Sequence, residues 1–184
     1  MKFKFLIILF IGLLNFTNNV FADEKILTSL QEGNKIIFIR HAIAPGNGDP
    51  SDFEIDNCST QRNLDKNGIE QSKRIGFFFK KNQIKIDKVL SSEWCRCKDT
   101  AKYAFKNFKT FDALNSFYDE KFAANEAKQI KDLKNYIKRW NSDKNLVLIT
   151  HFVVISSILN TGASSGEIII SDKNFNIVGS IDMM

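Results

Sequence analysis

The feature that most constrains this chain is a pair of short apolar runs, each followed directly by a histidine. Residues 35–40 end in Arg40 and precede His41, and residues 145–150 precede His151. A short apolar run of this kind is typical of a strand buried on both faces of a parallel sheet. Ligand-binding groups in such sheets lie beyond the carboxyl ends of the strands. These two are the only histidines of the chain, so their shared position favours a functional role over a structural one.

The rest of the chain alternates between strand-like and helix-like patterns. Strands are predicted at 35–40, 87–91, 111–114, 145–150, 167–171 and 175–181, and helices at 65–81, 94–105, 126–140 and 152–159. The segment 23–34, before the first strand, is expected to be helical around 26–31. Ser92 is predicted to cap the helix at 94–105. Residues 115–125 are expected to be irregular. This alternation predicts an α/β sandwich with a mostly parallel central sheet.

The first 22 residues have the pattern of a secretory signal peptide. Lys2 and Lys4 precede an apolar run at 5–14, and Val20 and Ala22 are small residues at the −3 and −1 positions of a cleavage site. The apolar run is short for a membrane span, which needs ~20 residues, so no stable membrane insertion is expected after cleavage. We therefore expect a signal peptide at 1–22, a single domain at 23–184, and a periplasmic or secreted protein.

Charge and cysteine content limit the partners further. A formal net charge of +5 is too small to indicate nucleic-acid binding. An exported chain can form disulfides, and of the three cysteines Cys95 and Cys97 are too close in sequence to pair easily. We therefore expect a disulfide from Cys58 to Cys95 or Cys97, with one thiol left over. A zinc site is disfavoured, because three cysteines at this spacing offer too few ligands.

Arg96 completes a set of anion-binding groups. It is expected in the first turn of a helix, where free backbone N–H groups favour anions. Arginine also has the planar fork that suits two-point contact with a phosphate. Arg40, Arg96, two imidazoles and a helix N-terminus together predict a pocket for a phosphoryl group.

These segments resemble the histidine phosphatase superfamily, whose members have the phosphoglycerate-mutase-like fold. Residues 39–42 match its Arg-His-Gly-type signature, 92–101 match the segment of the second arginine, and 148–151 match the segment of the second histidine. Asn47 stands where many members have a phosphate-binding Asn, and residues 166–168 resemble a set of exported members. The resemblance covers about 35–182 and implies a three-layer α/β sandwich with a mostly parallel central sheet.

The resemblance also implies covalent catalysis without a metal or other cofactor. His41 would attack phosphorus and form a phosphohistidine, with its other ring nitrogen donating to a backbone carbonyl. Cationic side chains would take the role of a metal in holding the phosphoryl charge. The remaining catalytic residues would be Arg40, Arg96 and His151, with Asn47 and Arg62 binding the substrate.

The residue that protonates the leaving group is left open. One branch of the superfamily has Asp directly after the second histidine, where this chain has Phe152. Another has Glu on the loop after the third strand, near residues 114–116 here. Asp119 and Glu120 follow that loop and are the candidates for the general acid, and Asp49 is a third option.

We therefore expect an exported, metal-independent phosphomonoesterase acting on a small phosphorylated substrate. The alternative is a protein of the same fold that binds a phosphate ester with little or no turnover, because the general acid is not identified. A mutase is disfavoured, since this short chain lacks the insertions with which mutases close over their substrate.

Overall fold

The computed structural model describes residues 24–184. The predicted signal peptide at 1–22 lies outside the described residues and stays a prediction. The helices are α1 (residues 24–32), α2 (Lys66–Lys81), α3 (Cys95–Phe105), α4 (Glu120–Ala123), α5 (Glu126–Arg139) and α6 (Phe152–Leu159). The strands are β1 (Ile36–Arg40), β2 (Ile86–Ser91), β3 (Lys109–Thr110), β4 (Asn145–Thr150), β5 (Ile168–Ser171) and β6 (Ile177–Ile181). Within residues 24–184, no helix has both the length and the apolar character that crossing a membrane requires.

One six-stranded sheet, in the order β3-β2-β4-β1-β5-β6, organises the described residues. Strands β3, β2, β4 and β1 run parallel, whereas β5 and β6 add an antiparallel edge. The register pairs Ile36 with Leu146 and Arg40 with Thr150, so β1 and β4 end at the same level. The prediction of a mostly parallel sheet is therefore confirmed.

Successive side chains of the central strands enter two separate cores, because strand residues alternate between the faces of a sheet. Ile36 and Phe38 of β1 pack in the core under α5 and α6. Ile37 and Ile39 pack in the core under α2 and α3. Helices thus cover both faces of the sheet, as the three-layer fold class requires.

The segment 109–125 differs from the sequence prediction. A strand was expected at 111–114, but β3 is Lys109–Thr110, and Asp112–Leu114 forms a 3₁₀ turn. Phe111 N–H still donates to Ser91 O (2.8 Å), after which the turn buries its last two residues against the core. The stretch expected to be irregular contains the four-residue helix α4.

The predicted cap of α3 is also wrong. Trp94, not Ser92, occupies the N-cap position, and it makes no side-chain capping bond. The hydroxyl of Ser92 lies instead beside Asn115 and His151. The small polar residue before the helix serves the pocket described next rather than the helix end.

Candidate active site

Both histidines lie side by side at the carboxyl ends of β1 and β4. His41 N–H donates to Thr150 O (2.9 Å), which continues the parallel pairing one residue beyond the strands. The two imidazole centres are 5.5 Å apart, and both side chains are almost fully buried. The structure thus brings together the two histidines that the sequence analysis assigned to one pocket.

The environment of His41 holds its ring in one neutral form. Nδ1 lies 2.8 Å from Ala42 O, and since a carbonyl can only accept, Nδ1 carries the proton. Nε2 is left unprotonated, with its lone pair. Burial, followed by the positive charge of Arg96, lowers the pKa of His41 well below its ordinary value. A neutral imidazole with a free lone pair is the state required of a nucleophile.

The backbone that follows His41 is held by two side chains from the helices beneath it. Ala42 N–H donates to Thr100 Oγ1 (3.0 Å), and Ile43 N–H donates to Gln71 Oε1 (3.0 Å). Gln71 is fully buried on α2, and Thr100 is fully buried on α3. These bonds fix the start of the loop 42–63 and thereby the direction of the His41 ring.

A hydrogen-bonded chain orients His151. Its Nε2 lies 2.9 Å from Ser92 Oγ, and Ser92 donates its own proton to Asn115 Oδ1 (3.1 Å). The Ser92 oxygen is therefore the acceptor, and Nε2 of His151 carries the proton. Nδ1 then faces Arg96, whose Nη2 is 3.5 Å away. Burial and the charge of Arg96 lower the pKa of His151 well below its ordinary value.

Arg96 is held by Asp49, a carboxylate that the sequence analysis considered only as a third option for the general acid. Its Nη1 and Nη2 lie 2.7 and 3.1 Å from Oδ1 and Oδ2 of Asp49. Asp49 also accepts from Arg62 N–H (3.1 Å) and from Trp94 Nε1 (3.0 Å). Burial alone would raise the pKa of Asp49, but the hydrogen bonds and charge of Arg96 outweigh it and lower the pKa. This holds Asp49 ionised, which argues against the option that Asp49 is the proton donor.

A cavity of about 70 Å³ opens between these groups. Its lining consists of His41, Asn47, Gly48, Asp49, Arg62, Arg96, Ser116, Tyr118, Asp119, His151, Phe152 and Val153. The structure thus brings together six of the predicted site residues: His41, Asn47, Arg62, Arg96, Asp119 and His151.

Two predicted residues are not in this lining. Glu120 is exposed and begins α4, so of the two acids only Asp119 reaches the cavity. Arg40 donates from Nη1 to Ala163 O (2.8 Å), and its guanidinium carbon lies 5.8 Å from the centre of the Phe152 ring. Arg40 therefore stands at the edge of the site, where its charge still contributes to lowering the pKa of His41.

Sequence reasoning missed three lining residues. Ser116 and Tyr118 lie between β3 and α5, in the stretch expected to be irregular, and Val153 lies in the first turn of α6. Ser116 lies in the segment 114–116 that was compared with the Glu-bearing loop, whereas no periodic pattern or motif marks Tyr118. Phe152 was noted only for the acid that it replaces.

A disulfide joins Cys58 to Cys95 across 37 positions of sequence. It ties the loop 42–63, which carries Asp49 and Arg62, to the first residue of α3. The expectation of a bridge from Cys58 is confirmed, with Cys95 as the partner. Cys97 is a free thiol, fully buried, with Sγ 3.5 Å from Nε2 of His151, and burial raises its pKa to about 12.

Nothing in the described part of the chain groups three or more His, Cys, Asp or Glu side chains in a way that could hold a metal ion. The cavity lining includes several donors for an anion, among them Asn47, Arg62 and Arg96. Arg96 Nε is buried and has no hydrogen-bond partner within residues 24–184, so a donor remains available beside the ion pair.

Comparisons with known proteins agree at the level of the fold. No model of a known protein family matches the chain, and no curated protein matches it. Among solved structures, the protein histidine phosphatase SixA complexed with tungstate superposes with a TM-score of 0.57 at 14% identity, covering 81% of this chain and 97% of SixA.

Two further solved structures give the same result. Phosphoglycerate mutase from Thermus thermophilus has a TM-score of 0.57 at 12% identity, covering 80% of this chain and 98% of the mutase. A phosphoserine phosphatase mutant from Entamoeba histolytica, in complex with phosphoserine, has a TM-score of 0.53 at 19% identity, covering 74% and 89%. These proteins share the phosphoglycerate-mutase-like fold of the histidine phosphatase superfamily, and this chain has that fold.

Proposed function

We propose that this chain is an exported phosphomonoesterase that hydrolyses a small phosphorylated substrate through a phosphohistidine on His41. The observation that carries this proposal is the state of His41. It is a neutral imidazole whose Nδ1 proton is held by Ala42 O, with His151 and Arg96 beside it in a cavity of about 70 Å³. Neither a general base nor a metal is needed to activate such a nucleophile.

In the first step, Nε2 of His41 attacks phosphorus, and the bond from phosphorus to the ester oxygen breaks. The departing oxygen needs a proton, which we assign to Asp119, the acid that lines the cavity. In the second step, water gives a proton back to Asp119 and attacks the phosphohistidine. Inorganic phosphate leaves, and both side chains return to their starting states.

The transferring phosphoryl group carries its charge on three equatorial oxygens. Arg62, Arg96 and His151 line the cavity around His41 and are the groups that stabilise this charge, with Asn47 as a neutral donor. An anion beside His151 would raise the pKa of that ring and let Nδ1 take up a proton. The Nδ1–H group would then donate a hydrogen bond to the anion. Arg40 acts on the same charge from the edge of the site.

The solved structures of the same fold support a phosphatase. SixA is a protein histidine phosphatase that was solved with tungstate, and the Entamoeba protein is a phosphoserine phosphatase that was solved with phosphoserine. Export is supported by the predicted signal peptide and by the Cys58–Cys95 disulfide, because disulfides persist in oxidising compartments.

The test is hydrolysis of para-nitrophenyl phosphate and of alkyl phosphates by residues 23–184, with and without EDTA. Turnover should be unaffected by EDTA and should disappear in His41→Ala. Labelled substrate should leave an acid-labile phosphoprotein in the wild type that His41→Ala lacks. Tight phosphate binding without turnover would instead establish the alternative, a phosphate-ester-binding protein. Label retained by His41→Ala would refute the assignment of the nucleophile.

A further inference from the structure

The cavity has a charged base and an aromatic rim. We call Asn47, Tyr118, Asp119 and Phe152 the rim. Asn47, Tyr118 and Phe152 are the exposed residues of the cavity lining, and Asp119 is the acid that follows Tyr118. We propose that Tyr118 and Phe152 form a leaving-group subsite that selects phosphate esters of neutral, ring-bearing alcohols, whether aryl or sugar. This inference rests on the proposed function, because it requires a phosphoryl group bound beside His41 at the bottom of the cavity.

The size of the cavity places the leaving group at the rim. One water occupies ~10–15 Å³ in this measure, so about 70 Å³ admits a phosphoryl group and little else. With phosphorus in reach of His41, the rest of an ester must project outward. Asn47, Tyr118 and Phe152 are the exposed lining residues, and they are therefore what the leaving group meets.

Two exposed aromatic rings at one opening are unusual for a surface. Tyr118 is 55% exposed and Phe152 is 43% exposed, although large apolar side chains on a surface are normally scattered singly. A ring that contacts both of them would remove apolar area from water. This exposed pair suits a ligand that presents apolar surface at the opening.

Both rings are held in position before a ligand arrives. Tyr118 OH accepts a hydrogen bond from Asn47 Nδ2 (3.1 Å). Phe152 begins α6 directly after His151, and its Cε2 would lie 3.6 Å from a Cβ placed on Gly162, so the ring packs over that glycine. Ordering the rings on binding therefore costs little entropy, which leaves more of the stacking energy for affinity.

Charge at the rim narrows the class of leaving group. Asp119 is the ionisable rim residue, and no lysine is among the residues that line the cavity. The lining arginines, Arg62 beside Gly48 O (2.8 Å) and Arg96 beside Asp49, are the groups that the proposed function assigns to the phosphoryl group. A leaving group that carries a carboxylate would therefore lose hydration against the aromatic rings without gaining a cationic partner among the rim residues. A neutral ring has no such desolvation cost.

The test uses phosphonates, which bind but are not hydrolysed. Calorimetry would compare benzylphosphonate, in which a methylene replaces the ester oxygen, with ethylphosphonate and 2-carboxyethylphosphonate. The wild type should bind benzylphosphonate about tenfold more tightly than ethylphosphonate, the scale of one good aromatic contact. It should bind the carboxylate-bearing compound most weakly. Tyr118→Ala and Phe152→Ala should each reduce the preference for the ring, whereas Phe152→Tyr should keep it.

Phe77→Ala is the matched control, because Phe77 is an exposed aromatic residue on α2 that does not line the cavity. Its ratio of affinities should equal that of the wild type. Equal affinity of the wild type for benzylphosphonate and ethylphosphonate would overturn the subsite and leave the proposed function intact. Failure to bind any of the phosphonates would overturn the proposed function as well. KM values for phenyl phosphate and glucose 6-phosphate in the two alanine variants would then separate aryl from sugar esters.

Discussion

Asp49 and Arg96 form a two-point ion pair at the base of the cavity, with their side chains 2% and 4% exposed. Asp49 belongs to the loop 42–63 and Arg96 to α3, so the pair joins the two segments that surround His41 from one side. The Cys58–Cys95 disulfide joins the same two segments through covalent bonds. The base of the site is therefore a cross-linked unit, and several of its properties can be tested separately.

Removal of the carboxylate should destabilise the protein. In Asp49→Ala the guanidinium of Arg96 would stay buried without its partner, a change that typically costs about 3–5 kcal/mol. The free energy of unfolding from urea titrations should fall by that order of magnitude. Asp52→Ala is the control, because Asp52 is an exposed acid on the same loop. A stability equal to that of the control would mean that the pair contributes nothing to the fold.

Replacement of the guanidinium fork should reduce activity even where the charge is kept. Lysine cannot make two-point contact with Asp49 and still offer a donor to the phosphoryl group. Arg96→Lys should therefore lower kcat/KM by an amount equivalent to about 2–4 kcal/mol of transition-state stabilisation. Arg74→Lys on the exposed face of α2 should leave kcat/KM unchanged. Near-normal kinetics of Arg96→Lys would place Arg96 outside the reaction.

Stability should fall as the solution becomes acidic. In the folded protein the pKa values of His41 and His151 are lowered well below the ordinary 6.5, whereas in the unfolded chain they return to it. Below about pH 6.5 the unfolded state thus binds more protons than the folded state, and the free energy of unfolding decreases as the pH falls. Asp49, whose pKa is lowered, stays ionised in this window. Urea titrations between pH 8 and 5.5 should show this decline in the free energy of unfolding. In His41→Asn the decline with falling pH should be smaller. The same pH dependence in the variant and the wild type would contradict burial of His41 in its neutral form.

Reduction of the disulfide should loosen the loop that carries Asp49 and Arg62. A bridge across 37 positions restricts the unfolded chain and typically stabilises the native state by roughly 2–4 kcal/mol. Added reductant should lower the free energy of unfolding of the wild type by about this amount. The double variant Cys58→Ser/Cys95→Ser should start lower and be insensitive to reductant. Mass spectrometry of the non-reduced protein should find Cys58 linked to Cys95, and three free thiols would exclude the bridge.

The parts of the molecule that could be predicted from sequence are those whose own residues carry the pattern. β1 and β4 are buried on both faces, so their apolar runs marked them clearly, but the histidines that follow them meet because β1 and β4 pair in parallel as neighbours. The role of Asp49 could not be predicted, because its partner Arg96 is 47 positions away and no periodicity links a loop acid to a helix arginine. β3 was misplaced for a similar reason, since its two residues are defined by pairing with the edge of β2.

The directions in which side chains point could not be predicted from the sequence either. Arg40 follows the apolar run of β1 as expected, yet its guanidinium turns to Ala163 O rather than into the cavity. Ser92 precedes a helix as a cap would, yet its hydroxyl accepts from His151. Both choices depend on acceptors and donors that the chain brings back from more than fifty positions away.

The identity of the proton donor gives the last prediction. If Asp119 protonates the leaving oxygen, Asp119→Asn should lower kcat/KM for alkyl phosphates far more than kcat/KM for para-nitrophenyl phosphate. The reason is that nitrophenolate departs readily without a proton. A loss of about 10²–10⁴-fold in kcat/KM is the usual scale for such a group. Glu120→Gln is the matched control, since Glu120 is the adjacent acid but lies outside the cavity lining. Equal, small effects of Asp119→Asn on both substrate types would exclude Asp119 as the donor. In that case slow hydrolysis of alkyl phosphates by the wild type would favour a protein that mainly binds its phosphate ester.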